Sequence, residues 1–219
     1  MKKTAIILGA TGLTGNLLLQ KLINDERYEL VKIFSRKPIE IKHPKVIEVI
    51  GNLLELETFN KDFTADEVFC SIGTTAKKTP DKELYKKIDI GIPLSAAKLC
   101  KENNINTFIV MSSLGADAKS SVFYNKIKGE MEQSVLKEGI TNTYILRPSI
   151  ILGKRNENRI FEGIGKTMFT VFQFLFIGKL KRYKAIEADN IAKAMIYLAN
   201  SKPDIDIIES DKIGDFAFR

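Results

Sequence analysis

A glycine-rich turn that joins an apolar run to a helical pattern lies near the start of this 219-residue chain. Residues 4–8 form the apolar run, Gly9, Gly12 and Gly15 follow, and apolar side chains at helical spacing occupy 17–23. A strand that enters a helix through glycines lets the backbone approach a pyrophosphate closely, and the helix N-terminus adds free N–H groups and positive potential. The spacing is G-x-x-G-x-x-G and not the commoner G-x-G-x-x-G, but the strand before it and the helix after it favour a dinucleotide-binding unit. The predicted contacts in this turn are Gly9, Thr11, Gly12, Leu13, Thr14 and Gly15.

Strand and helix patterns alternate along most of the chain. Strand patterns lie at 3–8, 30–35, 46–50, 66–71, 107–112 and 143–147, and helix patterns lie at 13–24, 82–103, 121–138 and 189–200. This alternation predicts an α/β fold, a Rossmann-type doubly wound parallel sheet, in a single domain over 1–219. Pro93 predicts a kink within or beside the 82–103 helix. After Gly153 the alternation weakens, so we expect a short C-terminal substrate-side extension in which 154–185 form a substrate-side or interface insertion.

Composition and charge exclude several classes of protein. The net charge is +7, but the lysines are dispersed and form no stripe interleaved with aromatic residues, so nucleic acid is not an expected partner. Cys70 and Cys100 indicate buried thiols in a reducing compartment, with neither a disulfide framework nor a metal site. The apolar start breaks at Gly9 and lacks the cleavage site of a secretory signal, so we expect a cytoplasmic protein without a transmembrane segment.

A phenylalanine-rich segment lies at 168–177. It is too short to cross a bilayer, which needs about twenty residues. The pattern favours a core or pocket-lining helix, with a subunit interface or a peripheral membrane contact as less favoured alternatives. A monomer and a homodimer both stay open, because amphipathic helices look the same at an interface and over a sheet.

The end of the second strand predicts which dinucleotide binds. NAD-selective sites usually place a carboxylate there for the ribose hydroxyls, whereas this chain has Arg36 and Lys37. A carboxylate would repel a 2′-phosphate and a guanidinium can donate paired hydrogen bonds to it, so NADP(H) is preferred and NAD(H) is less favoured. An arginine on the surface of a turn is the alternative interpretation. Further contacts are expected where the third and fourth strands end, at Asn52, Leu53, Ser71 and Gly73.

A tyrosine and a lysine share one face of the helix that follows the fifth strand. Tyr124 and Lys128 are four residues apart, and the strand before them ends in Ser112 and Ser113. Reduction of a carbonyl needs an acid that protonates the developing alkoxide, and a nearby ammonium lowers the pKa of a tyrosine towards neutrality. We therefore predict Tyr124 as the general acid and Lys128 as its partner. Ser113, with Ser112 as second choice, is the predicted hydrogen-bond donor to the substrate oxygen.

Two other features are expected to take no part in this chemistry. Tyr28 and Lys32 have the same spacing but do not follow a strand that ends in hydroxyl side chains. The single histidine, His43, precedes Pro44 in a turn and gives no support to a Ser–His hydrolase.

Several motifs together resemble the short-chain dehydrogenase/reductase superfamily, from the start of the chain to about residue 200. The motifs are Gly9 to Gly15, Arg36, residues 69–75 (FCSIGTT), 112–117 (SSLGAD), 124–130 (YNKIKGE) and 146–149 (LRPS). Within the superfamily the chain is most similar to the atypical NAD(P)-binding branch that includes the Tat-interacting oxidoreductase. The resemblance implies a Rossmann core, bound NADPH, Tyr124 as acid/base and Lys128 on the nicotinamide ribose. It also implies that Pro148, Ser149 and Ile151 flank the nicotinamide.

Two departures from the superfamily bear on the substrate. Ser113 lies only eleven residues before Tyr124, closer than in sugar-nucleotide epimerases of the superfamily, so the loop between them is expected to be compact. About seventy residues follow Pro148, which favours a small carbonyl compound over a large sugar nucleotide.

The favoured function is an NADPH-dependent oxidoreductase that reduces a small carbonyl or enone substrate by hydride transfer, with Tyr124 as general acid. The alternative is a non-enzymatic regulator that senses NADPH and contacts a protein partner, with the phenylalanine-rich segment as the candidate surface. A nucleotide-sugar epimerase or dehydratase is less favoured because of the basic end of the second strand and the short C-terminal part.

Overall fold

A parallel sheet forms the centre of the protein. The computed structural model describes residues 2–153 and 178–219, which build a seven-stranded parallel sheet and a separate two-stranded one. The strands are β1 (Lys3–Leu8), β2 (Tyr28–Ser35), β3 (Val46–Ile50), β4 (Glu67–Cys70), β5 (Thr107–Met111), β6 (Asn142–Arg147), β7 (Ile151–Leu152), β8 (Ile186–Glu187) and β9 (Ile207–Glu209). The order of the large sheet is β3-β2-β1-β4-β5-β6-β9. The strand order reverses beside β1, and ligands of such sheets bind at the carboxyl edge at that point.

Helices cover both faces of the sheet. They are α1 (Leu13–Asn24), α2 (Lys82–Lys86), α3 (Ile92–Glu102), α4 (Phe123–Lys137), α5 (Ala188–Ser201) and α6 (Ser210–Phe216), with 3₁₀ segments at Leu53–Phe59 and Gly178–Tyr183. Strand side chains alternate between two cores. Ala5 and Ile7 of β1 join the core that includes α1 and α5, and Ile6 and Leu8 join the core that includes α3 and α4. The predicted Rossmann-type doubly wound fold is confirmed.

A π-helical turn divides the helix predicted over 82–103. The turn occupies Lys87–Gly91, between α2 and α3. In an α-helix Pro93 would have to donate an N–H to the Asp89 carbonyl oxygen, but proline has no N–H. The Ile92 N–H instead donates to the Lys87 carbonyl oxygen in the wider π pattern. The predicted kink is therefore a widened turn directly before Pro93, and it contains a buried acidic residue, Asp89.

In the described C-terminal part, the sequence patterns do not predict the strands β7, β8 and β9 or the helix α6. β9 has three residues and pairs with β6 at the sheet edge, so its formation depends on a long-range contact. Residues 154–177 of the predicted insertion, which include the phenylalanine-rich segment, lie outside the described residues. Among the helices that the structure describes, none combines the length and apolar character that a membrane crossing requires.

Candidate active site

The glycine turn brings three backbone segments into close contact. Gly9 has a φ of +91°, which favours glycine, and the Gly12 N–H donates to the Gly9 carbonyl oxygen at 3.0 Å. A Cβ atom at Gly15 would lie 2.1 Å from that oxygen, so only glycine lets α1 pass this close to the turn. A Cβ atom at Gly9 would lie 3.0 Å from the Ser71 backbone, so the turns after the neighbouring strands β1 and β4 touch.

The start of α1 presents backbone donors beside a cleft. Gly12 is the N-cap residue, and it has no side chain with which to cap the N–H groups of the first turn. A cleft of ≈ 280 Å³ adjoins it, lined by Ala10, Thr11, Asn16, Pro38, Ile39, Glu40 and Ile41. N–H groups at a helix start attract phosphate, and a cleft between the turn after β1 and the loop after β2 suits the adenosine half of a dinucleotide. The residues present therefore fit the predicted coenzyme.

The loop after β2 presents two basic side chains to solvent. Arg36 and Lys37 are exposed, and Arg36 makes no hydrogen bond or ion pair with any residue that the structure describes. The Ser35 hydroxyl donates to the Lys37 carbonyl oxygen at 2.7 Å and fixes the turn. Arg36 thus lies two residues before the cleft-lining Pro38, available to an anionic group.

Asn52 and Leu53 have structural roles in the fold. Asn52 Oδ1 accepts from the Leu54 N–H at 3.1 Å and caps the 3₁₀ segment that follows β3. The Leu53 side chain is buried in the core that includes α3 and α4. Burial therefore leaves Leu53 only its backbone for a coenzyme contact, and both predicted contacts stay predictions.

The two serines after β5 have different surroundings. The Ser112 hydroxyl donates to Glu132 of α4 in a short hydrogen bond. Glu132 also accepts from Arg147 at 2.9 Å, and Arg147 pairs with Glu209 at 3.1 Å, so Ser112 belongs to a network that joins α4, β6 and β9. Ser113 is also buried, but its Oγ has no hydrogen-bond partner among the described residues. Because an unpaired buried hydroxyl is costly, Ser113 is the serine that is available to a ligand.

The turn after β4 lies between the glycine turn and α4. Ser71 Oγ is buried and, within the described parts of the chain, also lacks a hydrogen-bond partner. A Cβ atom at Gly73 would lie 3.5 Å from both Lys128 Nζ and Asp89 Oδ1, so this turn lies beside those two side chains. Gly73, one of the residues predicted from the end of the fourth strand, therefore lies beside the predicted catalytic lysine.

Tyr124 and Lys128 lie one turn apart on α4, as their spacing predicts. The Tyr124 side chain is 42% exposed, whereas Lys128 is buried and its Nζ lies 2.9 Å from Asp89 Oδ1. Burial lowers the pKa of the Lys128 ammonium, but the attraction of Asp89 and Tyr124 outweighs burial, and the pKa lies above the ordinary value for lysine. The helix therefore carries an accessible phenol one turn before a buried, charged lysine.

The other tyrosine–lysine pair and the histidine have no such arrangement. Tyr28 and Lys32 lie on β2, where residues four apart are separated by about 13 Å. Tyr28 is buried and donates to Glu67 in a short hydrogen bond. His43 accepts from the Lys45 N–H at 3.2 Å as a turn residue.

The loop that leads from β5 to α4 is compact, as its length predicts. The Asp117 N–H donates to the Asn125 carbonyl oxygen at 3.0 Å, which folds the loop back onto the helix. A Cβ atom at Gly129 would lie 2.1 Å from the Ala118 nitrogen, so the loop crosses α4 where only glycine leaves room. The contact holds the loop after β5 against the helix that carries Tyr124.

The residues predicted to flank the nicotinamide lie where β6 ends. The Pro148 carbonyl oxygen accepts from the Leu114 N–H at 2.9 Å, which joins this segment to the loop after β5. The Ser149 N–H donates to the Ser210 hydroxyl at 3.1 Å, and Ile151 belongs to β7. All three border the carboxyl edge of the sheet, and their contact with a nicotinamide stays a prediction.

Sequence reasoning missed the two carboxylates of this region. Glu132 lies four residues after Lys128, so Tyr124, Lys128 and Glu132 form one stripe of α4, and that spacing is the signal that could have found it. Asp89 is an acidic residue within an otherwise apolar helical stretch before Pro93, which is a weaker signal.

Comparison with known proteins assigns the family. Residues 9–201 match the family model described as NAD(P)H-binding. The chain belongs to this NAD(P)H-binding family. The match extends from the glycine turn to the last residue of α5 and includes Ser113, Tyr124 and Lys128. The description of this family covers both NADH and NADPH.

Two curated relatives agree with the predicted branch of the superfamily. Protein FMP52, mitochondrial, of Debaryomyces hansenii is 32% identical over 212 residues, which cover 90% of this chain and 88% of that protein. Protein HTATIP2 of Rattus norvegicus is 29% identical over 171 residues, which cover 76% of this chain and 70% of that protein. The resemblance to an atypical, short-chain dehydrogenase/reductase-like NAD(P)-binding protein is confirmed.

The expectation of a cytoplasmic protein is contradicted by the fungal relatives. The FMP52 proteins of Debaryomyces hansenii and Candida albicans, the second 33% identical over 207 residues, are both named as mitochondrial. An apolar run that breaks at Gly9 excludes only a secretory signal and carries no information about organelles.

Solved structures with a similar fold include NAD-bound enzymes. The Bordetella bronchiseptica enzyme WbmH in complex with NAD+ has a TM-score of 0.69 at 15% identity, with 91% of this chain and 73% of that chain covered. The UDP-N-acetylglucosamine 4-epimerase of Methanobrevibacter ruminantium M1 has a TM-score of 0.71 at 20% identity, with 95% and 76% covered. At these identities the likeness establishes the fold alone.

Proposed function

We propose that this chain is an NADPH-dependent oxidoreductase that reduces a small carbonyl or enone substrate. One observation carries the proposal: an unpartnered buried hydroxyl at Ser113, an accessible phenol at Tyr124 and a buried ammonium at Lys128 flank the carboxyl edge of a nucleotide-binding sheet. The Ser112 hydroxyl is not available to a substrate in this way, because it already donates a hydrogen bond to Glu132. These are the groups that carbonyl reduction requires from a protein.

Each of the three residues has one role in the proposed reaction. NADPH, when bound, supplies the hydride that the carbonyl carbon accepts. Ser113 donates a hydrogen bond to the substrate oxygen, where negative charge develops. Tyr124 donates its proton to that oxygen, and the Lys128 ammonium stabilises the tyrosinate that is left. The carbonyl thus gains a hydride at carbon and a proton at oxygen, and an alcohol forms.

Turnover tests this proposal directly. We expect the wild-type protein to oxidise NADPH in the presence of at least one member of a panel of small aldehydes, ketones and enones, followed by NADPH absorbance. A protein that binds NADPH, reduces no member of the panel and co-purifies with a protein partner would instead be a non-enzymatic NADPH sensor, and the proposal would fail.

Arg36 is proposed to select NADPH over NADH. Arg36→Ala should weaken NADPH binding by about tenfold to a hundredfold, because hydrogen bonds to charged groups contribute about 1.5–3 kcal/mol. NADH binding should stay within about twofold of wild type, because the substitution removes a contact to the 2′-phosphate alone. Fluorescence titration of both coenzymes measures the two affinities.

Arg27 offers a matched control for Arg36→Ala, because it directly precedes the first residue of β2 whereas Arg36 directly follows the last. Arg27→Ala removes the same charge where the arginine pairs with Asp25 at 2.6 Å, and it should change neither affinity. Equal losses of NADPH and NADH affinity in Arg36→Ala would show that Arg36 does not bind the 2′-phosphate.

The two serines after β5 give a second test. Ser113→Ala should lower kcat by about a hundredfold to a thousandfold, as loss of one oxyanion donor does. Its melting temperature should not fall, because the removed hydroxyl has no partner among the described residues. Ser112→Ala should cost about 1.5–3 kcal/mol of stability, because the lost hydrogen bond is to a carboxylate that pairs with Arg147, and it should affect kcat less. The reverse ranking of the kcat values would make Ser112 the substrate-binding serine.

A further inference from the structure

A fully buried carboxylate lies beneath the proposed site. Asp89 belongs to the π-helical turn and has no exposed surface. Its Oδ1 lies 2.9 Å from Lys128 Nζ, and its Oδ2 accepts a hydrogen bond from the Thr74 N–H at 2.8 Å. One carboxylate therefore contacts both the lysine on α4 and the turn after β4.

We propose that Asp89 is a positioning residue: its carboxylate holds the Lys128 ammonium against the turn after β4, one helical turn from Tyr124. The inference rests on the proposed function, since Tyr124 and Lys128 act as the acid and its partner there. In this role Asp89 keeps Lys128 charged and in place without contacting the substrate.

The energetic balance of a buried ion pair supports a functional interpretation. Removing both charges from water costs several kcal/mol per ion, and apolar residues of similar volume often stabilise a fold as well or better. We therefore assign the pair a geometric role and not a stabilising one, and its carboxylate lies in a π-helical turn, a distortion that is frequent at functional sites. A Cβ atom at Gly73 would be in van der Waals contact with both members of the pair, so the pair lies directly beside the turn after β4.

The surroundings of Lys128 make Asp89 its counter-charge. Among the described residues, the titratable groups that act electrostatically on the ammonium are Asp89 from the π turn, Tyr124 from α4 and Cys70 from β4. Burial raises the pKa of the Cys70 thiol to about 11, so the thiol is neutral at physiological pH. Tyr85, which faces Asp89, is likewise neutral because burial raises its pKa. Within the described residues, Asp89 is therefore the fixed negative charge that keeps the buried ammonium protonated.

The turn after β4 has additional anchors that keep Thr74 in place. Thr74 Oγ1 lies 2.8 Å from Thr79 Oγ1, and the Tyr85 hydroxyl donates to the Thr74 carbonyl oxygen at 3.3 Å. Because these contacts do not involve Asp89, a neutral isostere at position 89 should leave the turn folded. The charge of Asp89 can thus be tested separately from its shape.

Asp89→Asn is the substitution that removes the charge and keeps an oxygen for the Thr74 N–H. Without the counter-charge, burial dominates and the Lys128 ammonium should lose its proton at a lower pH. A neutral Lys128 no longer stabilises the tyrosinate, so the pH at which kcat declines on the alkaline side should also fall. We expect both midpoints to fall by at least about one pH unit, which is a tenfold loss of proton affinity.

The primary measurement needs neither coenzyme nor turnover. Carbon-13 NMR of the lysine Cε atoms in the labelled full chain, with the Lys128 resonance identified by its absence in Lys128→Met, follows protonation of Lys128 directly. In the wild type Lys128 should titrate above the ordinary lysine value, near 10.4. The second measurement is the pH profile of kcat with NADPH and a substrate from the panel.

Glu67→Gln is the matched control. Glu67 is a buried carboxylate that pairs with Lys3 at 3.0 Å at the amino end of β4, away from the site. This variant should lose some stability but keep the Lys128 titration and the pH profile of the wild type. A purely structural role of Asp89 would make Asp89→Asn behave in the same way, and that result would overturn the inference.

The remaining outcomes are also decisive. A wild-type Lys128 that titrates at or below the ordinary lysine value would overturn the inference, even if Asp89→Asn does not fold. A wild-type protein that reduces no carbonyl would overturn the proposed function, while the NMR titration would still show whether Asp89 holds the Lys128 charge.

Discussion

Tyr124→Phe should lower kcat for carbonyl reduction by about a hundredfold to ten-thousandfold, the usual contribution of a general acid. The substitution removes the hydroxyl that is proposed to protonate the substrate oxygen and keeps the ring in place. Because 42% of the tyrosine side chain is exposed and its hydroxyl forms no hydrogen bond within the described residues, stability should change by less than about 0.5 kcal/mol. NADPH affinity should stay within about twofold of the wild type, since Arg36 and the glycine turn are untouched. Steady-state kinetics, coenzyme titration and thermal melting test these three expectations.

Tyr197→Phe is the control for loss of a tyrosine hydroxyl. Tyr197 lies on α5, where its ring stacks on Phe216 at 5.4 Å, and α5 contributes to the core that lies across the sheet from the one that includes α4. This variant should keep wild-type kcat and coenzyme affinity. If Tyr124→Phe retained most of its activity, the proton would come from another donor and the assignment of Tyr124 would be wrong.

The fold is largely predictable because its signals are local. The helix predicted over 13–24 has the same bounds in the structure, since Gly12 precedes its apolar stripe and Asp25 ends it. Six predicted strands have their counterparts in the sheet because each is a short apolar run between turns. β9 has only three residues and is a strand because β6 lies beside it, which is information that no local pattern contains.

The site is predictable only in part, because side-chain partners are long-range. Ser112 and Ser113 are consecutive and chemically identical, and the choice between them depends on Glu132, which lies on another element. The position of Lys128 follows from helical spacing, but its ion pair with Asp89 depends on a π-helical turn. The sequence signal for that turn is Pro93, which predicts a kink but not which side chain the kink directs inward.

Gly15→Ala should destabilise the protein strongly and impair coenzyme binding. The Cβ atom of the new alanine would lie 2.1 Å from the Gly9 carbonyl oxygen and 3.2 Å from the Ala10 Cα. These are backbone atoms, which cannot rotate out of the way as a side chain can. The clash should cost about 3 kcal/mol, the upper part of the usual range for overpacking, which corresponds to a fall of about 6–12 °C in Tm for a chain of this size. NADPH affinity should also fall at a temperature where the variant is folded, because relief of the clash displaces the Gly9–Gly12 backbone that is proposed to bind the pyrophosphate.

Gly214→Ala separates this steric effect from the general effect of replacing a helical glycine. A Cβ atom at Gly214 of α6 would meet no atom of the described residues within 4 Å, so alanine there should stabilise the protein by about 0.5–1 kcal/mol through its better helix propensity. NADPH affinity should not change in this variant, since α6 lies away from the glycine turn. A Gly15→Ala protein with the melting temperature and NADPH affinity of the wild type would mean that the turn tolerates a side chain. The close approach of α1 to β1 would then not be what shapes the nucleotide site, and the basis for placing a pyrophosphate there would be lost.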